Sequence, residues 1–133
     1  MISNVSTLAI LTAALVGFLA SIVWYNVFSA PWRLAVGRSG PLRPKPSQIA
    51  VSIVSQLVMA FVLGGIIGEM GPVTMEGGIV VGCVAWLGFV ATSIAVNDSF
   101  AGSPLTLTMI DAGHWLVVLM LMGATIGLLS GGV

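Results

Sequence analysis

The chain has 133 residues, 58% of them hydrophobic and 6% charged, with four basic and four acidic side chains that balance to zero. Water-soluble domains carry about a quarter of their residues as charges, so this composition excludes a water-facing globule and points to a lipid bilayer. Zero net charge also leaves no basic face for nucleic acid. The one cysteine, Cys83, allows no internal disulfide and is expected to be a small buried hydrophobe.

Met1 to Thr7 carry no Lys or Arg ahead of the first apolar run, unlike the positive n-region of a signal peptide. The run is therefore expected to be a retained membrane helix with its N-terminus outside. A spanning helix needs about 20 mostly apolar residues. Segments 8–28, 49–67, 78–96 and 105–129 meet that requirement, and none contains Lys or Arg. The expected fold class is all-α: a four-helix transmembrane bundle forming a single integral membrane domain over 1–133.

The first connector, 31–47, holds Pro31, Gly37, Gly40, Pro41, Pro44 and Pro46 and is not expected to be a continuous helix. It also holds every basic residue of the chain: Arg33, Arg38, Arg43 and Lys45. Positive charge in short loops stays on the cytoplasmic side. That predicts a plasma-membrane protein with a cytoplasmic first loop, both termini outside, and the connector around Asp98 inside. The four basic residues and Trp32 are expected to contact anionic lipid headgroups. Glu69-Met70-Gly71-Pro72 reads as a tight outer turn, Thr74 as the N-cap of the third helix, and Ser103-Pro104 as an N-cap followed by proline at the first helical position. The N-x-S matches at Asn4 and Asn97 are short enough to arise by chance. Pro41-x-x-Pro44 reads as a stiff surface linker.

Position along each helix converts to depth. Counted from the cytoplasmic edge at 1.5 Å per residue, Tyr25 lies roughly 5–8 Å deep, Gln56 about 10 Å, Thr92 and Ser93 roughly 5–6 Å, and Asp111 and His114 about 9 and 14 Å. Asn97 sits at the boundary. Polar side chains in hydrocarbon are expensive and face the bundle interior, so these residues, with Trp24, are expected to converge on one hydrogen-bonded layer. Asp111 and His114 are three apart and share a helix face. An ionised Asp111 at that depth needs a partner, from His114, Tyr25, Trp24 or Gln56. Two readings stay open: a proton-linked or ligand-binding site, and a structural clamp joining the fourth helix to the first and third.

One His and one Asp fall short of the four ligands of a closed zinc site, so no metal and no cofactor is expected. No H-E-x-x-H, G-x-S-x-G or phosphate-binding glycine loop is present, and the expectation is a non-catalytic protein. Gly64-x-x-x-Gly68, Gly78-x-x-x-Gly82 and Gly123-x-x-x-Gly127 each put two glycines on one helix face, where backbones approach closely. They are expected to pack helices within the bundle, with a homo-oligomeric contact as the alternative for at least one. Trp24, Tyr25, Phe28 and Trp32 are expected to form an aromatic belt at the interface. Trp86 and Trp115 sit deeper and need internal partners for their indole N–H groups.

Trp24-Tyr25-Asn26-Val27-Phe28 with Trp32, Gly88-Phe89-Val90-Ala91-Thr92-Ser93 followed by Asn97 and Phe100-Ala101-Gly102, Ile110-Asp111-Ala112-Gly113-His114, and Met122-Gly123-Ala124-Thr125-Ile126-Gly127 occur in this order. The set resembles the bacterial domain-of-unknown-function 1761 family. One departure is Gly113-His114-Trp115, where members carry an aromatic residue before the histidine. The resemblance implies a small four-helix membrane protein and supplies no activity. The functional expectation is a homo-oligomeric transport or permeation component for a small solute or protons. The alternative is a non-catalytic module that binds lipids or other membrane proteins.

Overall fold

The computed structural model describes residues 4–131. Among these residues the regular structure is helical and no strand occurs. The elements are α1 (Thr7–Val27), α2 (Ser29–Ala35), α3 (Pro46–Glu69), α4 (Met75–Ala85), a π-helical stretch (Trp86–Ala91), α5 (Thr92–Ala101) and α6 (Leu105–Ser130). Met75–Ala101 runs without a break, so α1, α3, this composite helix and α6 give four helices long and apolar enough to cross a membrane.

Local chemistry explains the ends. Ser6 caps α1 by accepting from the Ala9 N–H at 3.1 Å, and Thr74 caps α4 through Gly77 N–H at 3.1 Å, as its sequence position predicted. Lys45 precedes α3, which starts at Pro46, where the missing N–H costs nothing. The Gln48 side chain folds back to accept the Lys45 N–H at 2.8 Å. The expected Ser103 cap is not formed: Pro104 itself takes the N-cap position and α6 begins at Leu105. The first connector is also partly helical. Pro31 sits at the third position of α2, within the first turn, where no backbone N–H has an intrahelical partner to lose. Gly37 and Gly40, at φ +68° and +94°, then reverse the chain, and Arg33 Nη1 pins the reversal by donating to the Gly40 carbonyl at 2.7 Å.

Helix α6 is the hub. It packs mainly against α4 and α1, while α3 packs chiefly on α1 and touches α6 and α4 only slightly. Its inner face repeats at helical spacing through Ile110, His114, Val118, Met122 and Ile126. Opposite lie Ala13, Ala14 and Gly17 on α1, and Gln56, Ala60 and Leu63 on α3. Lipid tails are as apolar as leucine, so helices in a bilayer associate through close packing and hydrogen bonds rather than water exclusion. The small residues serve that end. A Cβ on Gly78 would strike the Gly123 carbonyl, one on Gly82 the Leu119 carbonyl, and one on Gly127 the Thr74 carbonyl. Those glycines line the α4–α6 seam, and Gly64 lies against Val5 and Ile10. The Gly68 carbonyl accepts from Asn4 Nδ2 at 3.3 Å. Gly64, Gly78, Gly82, Gly123 and Gly127 thus meet neighbours within one chain. Large apolar side chains such as Phe89 (77% exposed) and Phe100 (92%) face outward, as a lipid-facing surface requires. Cys83 is partly rather than fully buried.

Candidate functional site

Two small hydrogen-bonded groups join α1, α2, α3 and α6 at the end of the bundle that carries the basic loop. In the first, Asp111 Oδ1 on α6 accepts from the Tyr25 hydroxyl at 2.7 Å and from Trp32 Nε1 at 3.2 Å. Tyr25 lies near the end of α1, and Trp32 reaches in from α2. Trp24, on the adjoining face, donates its indole N–H to the Ile110 carbonyl at 3.1 Å. Its ring fits against Gly113, where a Cβ would stand 3.1 Å from the indole.

The second group lies one turn deeper. Ser21 Oγ contacts His114 Nε2 at 2.7 Å, Gln56 Nε2 at 3.1 Å and the Gly17 carbonyl at 2.9 Å. A hydroxyl has one proton to give. The Gln56 amide donates to Ser21, and the direction of the Ser21–His114 bond follows the histidine tautomer. Gln56 and His114 are 1% and 3% exposed, and each keeps one atom without a conventional partner: Gln56 Oε1 and His114 Nδ1. Gln56 Oε1 stands over Gly17, 2.5 Å from where a Cβ would be, so only glycine leaves room for it. The two groups touch through Tyr25 and His114, whose ring centroids are 4.8 Å apart.

The expected polar layer is therefore smaller and differently composed. Tyr25, Trp24, Gln56, Asp111 and His114 converge, but His114 does not bond to Asp111. Thr92, Ser93 and Asn97 are exposed and take no part. Thr92 and Ser93 return their hydroxyls to the Gly88 and Phe89 carbonyls of their own helix. Trp32, expected at the headgroups, donates to Asp111, and Trp24, Tyr25 and Trp32, each partly buried, all give a hydrogen bond to α6. Ser21 was not singled out from the sequence. Its signal was the i, i+4 stripe Gly17-Ser21-Tyr25, a small residue and two hydroxyls on one face. The deep Trp86 finds the partner it needs, the Ala112 carbonyl, at 2.8 Å.

Beside these groups α1 and α3 part, leaving a cavity of about 530 Å³ roofed by the 38–44 loop. Ser21, Tyr25 and Trp32 form its inner wall, Phe18, Ile22 and Ile49 its apolar sides, and Arg38 and Arg43 stand at its mouth. No carboxylate lines it. Its size falls among small-molecule pockets, about 300–1,000 Å³. Among the described residues no group of three or more His, Cys, Asp or Glu is placed to hold a metal ion.

The family described as Protein of unknown function (DUF1761) matches residues 8–127. The chain belongs to the DUF1761 family. The match takes in all four long helices apart from their outermost residues, and it includes every member of both hydrogen-bonded groups. No curated protein and no solved structure matches the chain.

Proposed function

We propose that this membrane protein is a small-solute or proton-linked transport or permeation component. The observation that carries the reading is the cavity between α1 and α3, which leads from the basic loop to the hydroxyls of Ser21 and Tyr25. Small-molecule sites combine apolar walls with a few convergent polar groups, and intramembrane ionisable residues such as Asp111 and His114 mark substrate pathways. In this reading the basic loop faces the cytoplasm of a plasma membrane, and the solute enters from that side. Beyond Ser21 the way is closed by the contact of Gly17 with Gln56 and Met122. A homo-oligomer or a second conformation then supplies the remainder of the path.

The chain acts without catalysis in this reading. Ser21 and His114 resemble a nucleophile and its base, but His114 Nδ1 has no carboxylate to orient it.

The test is flux into liposomes, followed separately for protons, chloride and inorganic phosphate. Ser52 lines the cavity, and Ser52→Trp fills it. The expected result is flux above protein-free liposomes for at least one probe, reduced about tenfold in Ser52→Trp, a difference worth about 1.4 kcal/mol. Equal flux in both proteins, or none above the protein-free control, removes the reading.

A further inference from the structure

We infer that the α1–α3 cavity binds an anionic phosphate-bearing amphiphile, with its phosphate held by Arg38 and Arg43 and its apolar tail lying along Ile22 and Ile49. The inference rests on reading the cavity as a binding site and does not require transport.

Charge selects the sign of the ligand. Arg38 and Arg43 both line the mouth, and no Asp or Glu lines any part of the cavity to neutralise them. The carboxylates are accounted for elsewhere: Asp111 by Tyr25 and Trp32, Asp98 by Thr108 at 2.7 Å, and Glu69 and Glu76 at the far ends of α3 and α4. The other two basic residues are differently placed, because Arg33 is held by the Ser29 and Gly40 carbonyls and Lys45 does not line the cavity. The first turn of α3 adds to the same field. Gln48 and Ile49 line the cavity, so the positive end of a 24-residue helix lies on the same side as the arginines, although the Gln48 and Ile49 N–H groups are both given to the Lys45 carbonyl. Two guanidinium forks favour an oxyanion that can take paired hydrogen bonds, and phosphate does so from several directions.

Shape selects the tail. Ile22 and Ile49 line the cavity yet remain 46% and 38% exposed, so the space opens sideways between α1 and α3 onto the apolar outer surface. A headgroup and its glycerol fit the enclosed volume, whereas two acyl chains do not and must leave through that gap. The polar end meets Ser39, Gln48 and Ser52 and the apolar end meets the isoleucines, the order in which a phospholipid entering from the basic-loop face presents its parts.

Native mass spectrometry of the full chain in uncharged detergent reads binding directly, with phosphatidylglycerol, phosphatidylcholine and inorganic phosphate as separate probes. The expected result is retention of phosphatidylglycerol, at least about tenfold weaker in Arg38→Gln/Arg43→Gln and unchanged in Lys45→Gln. Retention should also fall when salt is raised. Equal retention of phosphatidylcholine would reduce the lipid to a nonspecific belt and overturn the inference, as would undiminished binding in the double variant. Inorganic phosphate that displaces the lipid at equal concentration would overturn the role of the tail and leave a simple anion site. Ile22→Asn separates the last two cases, because it should weaken the lipid and leave phosphate untouched. A chain that retains lipid but moves no solute would keep this inference and remove the transport reading.

Discussion

Ser21 Oγ and His114 Nε2 lie 2.7 Å apart although 93 positions separate them, and the same oxygen receives the Gln56 amide at 3.1 Å. One hydroxyl thus holds three helices together where lipid offers no alternative partner. Ser21→Ala leaves the buried Gln56 amide and His114 Nε2 without their partner and should destabilise the protein by about 1–3 kcal/mol. Ser21→Thr, which keeps the hydroxyl, should cost clearly less. Unfolding followed by tryptophan fluorescence in mixed detergent micelles checks both.

The Tyr25–Asp111 bond should behave as a coupled pair. Tyr25→Phe and Asp111→Leu are each expected to lower stability, and the double variant to lose less than their sum. Interhelical hydrogen bonds in membranes couple by about 0.6 kcal/mol on average and up to about 1.7. A double-mutant cycle measures the term. Complete additivity would mean that the contact contributes nothing to stability.

The glycine seam gives a sharper contrast. Gly78→Ala drives a methyl into the Gly123 carbonyl, backbone against backbone, and should cost about 3 kcal/mol or more or abolish folding. Gly65 meets nothing within 4 Å, so Gly65→Ala should change stability by no more than about 0.5 kcal/mol, or raise it through better helix propensity. Comparing the yield and melting of the two variants decides whether the seam, rather than glycine content, carries the packing.

Orientation has its own readout. With Cys83→Ala as background, Ser39→Cys on the basic loop should react with a membrane-impermeant maleimide only after the cell is opened. Gly71→Cys, in the turn between α3 and α4, should react in intact cells. The reverse pattern would invert the proposed topology.

Hydropathy made the four long helices legible, and charge made the odd connector legible, because both are sums over many residues. Rotation about the helix axes was not legible. Core and lipid are equally apolar, so no apolar stripe distinguishes the inner face, and depth alone grouped Thr92 and Ser93 with residues they never meet. Asp111 and His114 were found because an ionisable side chain in an apolar run has few places to go. Their division between two partners, Tyr25 with Trp32 and Ser21 with Gln56, depends on a connector helix and a mid-helix serine whose sequence signals are weak.

The central position of α6 bears on how the protein is made. α6 leaves the ribosome after the helices it organises, and before it arrives α3 and α4 have little to hold each other. During that interval Gln56 and Ser21 lack the His114 side of their network, and the glycines of α4 have no backbone to close against. α1 and α3 pack against each other without α6, so they would wait as a pair with α4 beside them until α6 closes the α4 seam and the His114 side of the network. Quality-control proteases that recognise polar side chains exposed to lipid would have their best substrate in that waiting state.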